Sequence, residues 1–291
     1  MPITLRILTF LWIYFGLLSP VPAEELLWTT LPLAGAVEVT DGRPTDGVVY
    51  EAQHLLEQTL PEFQHRYVIS TPSRLLYEMK SGVPRCSTLL LRNPELESFA
   101  YFVPYIPALP IQLVVRSDML EKLPIDDGRV RFEQLLQHSE LRGAIAEKRG
   151  YPSELQPLIN LGLHAGSITA INSPSSGNNL LSMISYERLD YSLEYPVVVK
   201  RFSQATALPK PLTTILIAEN IQMSPAGIYC TRNAWGKGVA AQIDHAIRKI
   251  VSDLDKLLPM YRKSVDPKIF DYYESQLRVY LTHRAQTPTE F

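Results

Sequence analysis

Strand-like and helix-like segments alternate along this chain with short connections, and that alternation restricts the fold more than any other feature. A strand pattern over residues 25–30 is followed by the turn Asp41-Gly42-Arg43-Pro44 and a helix that Asp46 is placed to cap. Val48, Ala52, Leu55, Leu56 and Leu60 follow the helical period there, and Pro61 limits it. A second strand covers 66–70. Thr71-Pro72 then gives a cap and a first-turn proline for a helix with Leu75, Leu76 and Met79 on one face, stopped by Gly82. Residues 86–91 make a third strand. Successive β-α-β units predict mainly parallel sheets with helices on both faces.

The pattern changes at FVPYIPALP, where Pro104, Pro107 and Pro110 forbid continuous helix. The strand at 111–116 follows, and this stretch reads as the crossing into a second lobe. That lobe repeats the alternation: a strand at 141–147, a capping box at Ser153-Glu154-Leu155-Gln156, a strand at 167–171, a polar loop at 172–179, a helix at 180–189 and a strand at 191–195. Residues 213–218 look like the way back. One long helix from 235 to 258, with Val239, Ile243, Ile247, Ile250, Leu254 and Leu257 inward, and a last helix from Asp266-Pro267 should pack on the first lobe. The expected organisation is a signal peptide at 1–23, lobe 1 at 24–112 and again at 219–291, and lobe 2 at 113–218.

The first 23 residues read as targeting sequence. Arg6 precedes the uncharged apolar run 7–18, and Ser19-Pro20-Val21-Pro22-Ala23 brings small residues to a cleavage point. The run falls short of the roughly 20 residues that span a bilayer, and an uncleaved anchor is the alternative. Arg6 is the one charge in this segment, so the remainder carries 27 Lys and Arg against 30 Asp and Glu. That balance excludes a polyanion binder, and no nucleic-acid partner is expected. Export also makes pairing of the two cysteines, Cys86 and Cys230, chemically available, with two separate buried thiols as the alternative.

Catalytic and metal signatures are missing: there is no H-E-x-x-H, C-x-x-C, G-x-S-x-G or P-loop. The six histidines show no i, i+4 ligand pairing. Gly236 and Gly238 lack the third glycine of a dinucleotide loop and read as turn residues. No cofactor and no metal are expected.

Several segments in order resemble one family. Lys80-Ser81-Gly82, the stretch NPELESFAYFVPY at 93–105, RLDYSLE at 188–194 and Gly227-Ile228-Tyr229-Cys230 are similar to successive motifs of periplasmic solute-binding proteins of the type 2 fold, including amino-acid receptors of ABC transporters. The resemblance spans nearly all of 25–265. It implies a two-lobed α/β molecule with a cleft between the lobes, strands of Cys86 and Cys230 as sheet neighbours, a small-molecule ligand and a monomer. ABC-transporter membrane subunits or a signalling partner would receive it. The sequence departs from the family where amino-acid binders hold the α-carboxylate: Leu96 stands at the Arg position, Leu90-Leu91 at small hydroxylated positions and Val103 at a serine. Either Arg92 or Arg149 substitutes, or the ligand is not an ordinary α-amino acid.

In such a molecule ligands sit at strand C-termini and helix N-termini. Thr30, Thr88 and Arg92 end first-lobe strands. Arg149, Tyr151 and Ser153 follow the first strand of lobe 2, and Ser173, Ser175, Ser176 and Asn178 follow the second. Tyr105 could wall the cleft, while Trp28 suits the core. Alternation in YSLEY turns Glu194 away from Leu193 and Tyr195, so its carboxylate is expected to face the cleft and hold a cationic group. A surface pair with Arg188 or Lys200 is the alternative. The leading function is a non-catalytic receptor that closes on a small polar solute. A periplasmic lyase or dehydratase using Glu194, and a degenerate module acting through protein contacts, are the alternatives.

Overall fold

The computed structural model describes residues 24–147, 149–172 and 177–291. The expected signal peptide, Ser173, Ser175 and Ser176 lie outside these residues. The chain begins with β1 (Glu24–Thr30), a hairpin of β2 (Glu38–Thr40) and β3 (Arg43–Asp46), α1 (Val48–Thr59), β4 (Phe63–Ile69) and α2 (Pro72–Lys80). Two short strands follow, β5 (Cys86–Ser87) and β6 (Leu90–Leu91), then α3 (Pro94–Glu97) and β7 (Ala100–Ala108). A second run contains β8 (Gln112–Arg116), β9 (Ile125–Asp126), β10 (Arg129–Val130), α4 (Phe132–Leu135), β11 (Gly143–Ala146), α5 (Gln156–Ala165) and β12 (Ile168–Ile171). It continues with α6 (Asn178–Ser185), β13 (Tyr191–Glu194), α7 (Pro196–Ala205) and β14 (Leu212–Ile217). The chain then returns through β15 (Ser224–Thr231) to α8 (Ala234–Val251), α9 (Leu254–Ser264) and α10 (Pro267–Gln286).

These elements build two sheets. The first has the order β4-β1-β5-β15-β6 with β7 also on β15, and the second β12-β11-β13-β8-β14-β10-β9. Local β-α-β units give the parallel pairs, β1 with β4 and β5, and β11 with β12 and β13. Strands that enter from the other lobe run antiparallel: β8 against β13 and β14, and β15 against β5, β6 and β7. Each sheet is therefore mixed, because a crossing strand arrives from the opposite end. Asn220 Nδ2 donates to the Ile111 carbonyl at 3.0 Å and ties the two crossing segments together.

Local chemistry explains the element ends. Thr71 Oγ1 accepts from the Arg74 N–H with Pro72 in the first turn of α2, and Asn233 Oδ1 caps α8 through the Gly236 N–H at 2.7 Å. The capping box at Ser153 does not form. Residues 153–155 make a turn, α5 starts at Gln156, and the Ser153 hydroxyl donates to Glu154. The helix expected over 235–258 is two helices. The backbone leaves helical geometry at Asp253, and the new direction carries Leu257, Leu258, Met260 and Tyr261 into the lobe-1 core. The proline-rich stretch is itself the strand β7. Its Pro104 carbonyl accepts from Arg284 Nε at 2.7 Å and its Pro107 carbonyl from the Tyr261 hydroxyl, so helices satisfy groups the ladder leaves over.

Lobe 1 packs around Trp28, Leu56, Tyr105, Ile243 and Phe270. Lobe 2 has a cluster on each face of its sheet, one around Leu113, Phe132 and Leu193 and one around Val114, Leu181 and Val198. Cys86 and Cys230 are directly opposed on β5 and β15, fully buried and joined in a disulfide with Cα atoms 4.1 Å apart. No helix among the described residues is long and apolar enough to cross a membrane.

Candidate functional site

Glu194 is the last residue of β13, and only 1% of it is exposed. Strand alternation puts it on the face of Val114 and Leu181 and opposite to Leu193. Its Oε1 accepts the Tyr195 N–H at 2.7 Å, at the start of α7, and its Oε2 accepts Nη1 of Arg149. The N-cap of α6 stands against the same carboxylate. Gly177 has φ +84°, and a Cβ there would lie 2.4 Å from Glu194 Oε2, so this position admits only glycine without displacement. Burial pushes the Glu194 carboxyl above its ordinary value, and Arg149 and the Tyr195 N–H pull it part of the way back.

Arg149 lies on the connection after β11. Its side chain is 13% exposed, and its guanidinium sits 5.1 Å from the Tyr195 ring centroid. The connection is braced by the Arg149 N–H on the Ala146 carbonyl and by the Tyr151 hydroxyl, which accepts the Ala146 N–H at 2.9 Å. Burial raises the Tyr151 phenol to about 12, which keeps its proton in place. Gln112, at the start of β8, pairs with Glu194 in register. It is fully buried, and neither its amide oxygen nor its nitrogen has a partner among the described residues. Asn178 Oδ1, at the first position of α6, is likewise buried and unpaired.

The structure thus brings Arg149, Tyr151 and Glu194 together and separates other expected residues from them. The surface pairing of Glu194 with Arg188 or Lys200 does not occur, and the cation beside its carboxylate is the chain's own Arg149. Thr30 and Thr88 are buried at strand ends of lobe 1, and Thr30 Oγ1 has no partner among the described residues. Arg92 turns to the exposed side of lobe 1, bound to Glu97 at 2.8 and 3.0 Å beside a cavity of about 460 Å³ against α10. Tyr105 is a core residue, its hydroxyl on the Ala52 carbonyl at 2.9 Å, and is not a cleft wall. Ser153 is exposed on its turn. Gln112 and Gly177 went unflagged in the sequence, although a lone Gln inside the apolar strand at 111–116 breaks the pattern as Glu194 does. Among the described residues no group of three or more His, Cys, Asp and Glu is placed to hold a metal ion.

The lobes meet at a finger that follows β1. Residues 33–37 close a tight turn, with the Val37 N–H on the Leu33 carbonyl at 2.8 Å. Leu33 and Ala34 pack on the lobe-2 cluster beside α7. Gly35 (φ +73°) touches the Val197 carbonyl so closely that a Cβ would stand 2.4 Å from it. Arg201 of α7 reaches back to Glu38 at 3.1 Å and Asp46 at 3.7 Å. Gly35→Ala is expected to shift the balance toward separated lobes roughly tenfold, since a forced overlap costs about 1–3 kcal/mol. Small-angle scattering should show a larger radius of gyration at unchanged circular dichroism. Gly42→Ala, at the same φ of +73° but with open space around it, controls for backbone strain and should leave the radius unchanged.

No family model and no curated protein matches the chain by sequence. Solved structures match it in fold. The probable amino-acid ABC transporter extracellular-binding protein of Bacillus subtilis superimposes with a TM-score of 0.62 at 16% identity, covering 84% of this chain and 99% of that one. The periplasmic VFT2 domain of Bordetella pertussis BvgS gives 0.58 at 16%, covering 82% and 93%. An ancestral amino-acid-binding protein, described as a precursor of cyclohexadienyl dehydratase, gives 0.60 at 14%, covering 83% and 96%. The chain has the two-lobed type 2 periplasmic-binding-protein fold.

Proposed function

We propose that this chain is an exported, non-catalytic receptor that closes two lobes on a small polar solute and presents it to an ABC importer or a signalling partner. Residues 1–23 would be removed on export, with lobe 1 formed by 24–112 and 219–291 and lobe 2 by 113–218. The observation that carries the reading is the buried pair Arg149–Glu194 at the end of β13, with the unpaired amide of Gln112 beside it. Buried polar groups without partners are costly, about 1–3 kcal/mol each, so a site that keeps them is built to meet something else. Its place fits the rule that ligands of open α/β sheets bind at strand ends. The solved structures of the same fold are mostly solute receptors, which supports the reading. A lyase using Glu194 is less well supported, since both carboxylate oxygens already accept bonds from the protein.

A second reading has its own observation. The chain's own guanidinium satisfies Glu194, which suits a module that has lost its solute and acts through protein contacts. Thermal unfolding of the mature protein against amino acids, organic acids, polyamines and sugars separates the two. A true solute at a hundredfold excess over Kd stabilises by about 2.7 kcal/mol. For a chain of this size that raises Tm by roughly 5–10 °C. Silence across the whole panel would favour the module over the receptor.

A further inference from the structure

We infer that the solute is a small monoanion without an ammonium group, a 2-hydroxy or 2-oxo monocarboxylate, and that Arg149 and Gln112 select it. This rests on the receptor reading above and names the class of ligand. The first step is charge. Arg149 and Glu194 cancel as a buried pair. The start of α6 at Gly177 and the start of α7 at Tyr195 both abut the Glu194 carboxylate. Each helix N-terminus carries the equivalent of about half a positive charge, so the surroundings retain about one positive charge, which a monoanion neutralises.

The second step is the identity of the free donors. Arg149 spends Nη1 on Glu194, while its Nε and Nη2 make no hydrogen bond among the described residues. A guanidinium with two free N–H groups takes a carboxylate through charge-assisted bonds. An ammonium would need the place at Glu194 that Arg149 already fills, and it would meet a like charge there. The third step is Gln112, buried opposite Glu194 with both amide atoms unpaired. Its nitrogen can donate and its oxygen can accept, which matches a hydroxyl or, through the nitrogen alone, a carbonyl oxygen.

Calorimetric titration of the mature protein with matched pairs tests this: L-lactate and pyruvate against L-alanine, 2-hydroxyisocaproate and 2-oxoisocaproate against L-leucine, and phenyllactate and phenylpyruvate against L-phenylalanine. At least one hydroxy or oxo acid should bind tenfold or more tighter than its amino-acid counterpart. Gln112→Leu, which keeps a strand-compatible apolar volume, should weaken that acid about tenfold and the parent carboxylate lacking the 2-substituent less. Arg149→Gln should abolish binding of both. If an amino acid binds as tightly as its hydroxy and oxo partners, or if Gln112→Leu leaves the affinity unchanged, the assignment of ligand class falls while the receptor reading stands. If no member of either set binds, the assignment falls, and silence across the wider panel would remove the receptor reading with it.

Discussion

Replacing Cys86 and Cys230 together by alanine is expected to lower the free energy of unfolding by about 5 kcal/mol. The bond joins residues 144 apart in sequence. In the chain-entropy account, closing a loop of that length restricts the unfolded chain by about 5 kcal/mol at 25 °C. The closed loop contains every strand of the second sheet, β8 to β14, together with both crossings between lobes. A change that frees it therefore loosens both lobes in the unfolded ensemble. Alanine is the informative replacement because both sites are fully buried, and serine would add unpaired hydroxyls at about 1–3 kcal/mol each. Since whole domains are stable by roughly 5–15 kcal/mol, the loss is a large share of the total. Urea unfolding of the variant beside the oxidised protein measures it, and a loss below about 1 kcal/mol would show that the loop is already restricted without the bond.

The architecture was legible where local chemistry acts alone. Thr71-Pro72 and Asp266-Pro267 start helices where a cap and a first-turn proline predict them. The stripe Val239, Ile243, Ile247 and Ile250 is buried as its period requires. Legibility failed where tertiary partners decide. β7 reads as a proline-rich crossing, yet Arg284 and Tyr261 from distant helices satisfy its carbonyls, and no local signal announces them. Missing that strand also hid the alternation that sends Val103 and Tyr105 into the core. The antiparallel course of β8 and β15 follows from lobe crossing, which a local βαβ pattern cannot show.

The site divides in the same way. Glu194 was legible because an acidic residue at the end of a buried strand contradicts its surroundings, and Arg149 because it follows the matching strand end. That the two pair with each other was not legible. It depends on the connection after β11 folding back through Tyr151 and on Gly177 leaving room for the carboxylate. The finger at 33–37 carries no pattern beyond one glycine, whose role is set by its φ of +73° and by the Val197 carbonyl and Arg201 Cβ opposite it.

Arg149→Met should destabilise the protein by about 3–5 kcal/mol at pH 7.5, because it leaves Glu194 buried without its counter-charge. The loss should depend on pH with a definite sign. Burial already holds the Glu194 carboxyl above its unfolded value near 4.5, and Arg149 is among the groups that lower it. Without Arg149 the folded value rises further. A carboxyl raised by folding makes no difference below its unfolded value; its cost to stability grows as pH climbs from there to the folded value and is constant above it. The variant should thus recover part of its loss on going from pH 7.5 to pH 5. Arg149→Met combined with Glu194→Leu removes both charges and fills the space, and it should return to within about 1 kcal/mol of the parent or exceed it. Urea unfolding of the three proteins at both pH values reads these outcomes. A double variant as unstable as the single one, or a single-variant loss that is the same at both pH values, would mean that the pair does not carry the cost assigned to it. If the double variant is stable but binds no solute, the pair contributes to recognition rather than to folding. A charged pair that the fold does not need would then stand at the strand end because the ligand does.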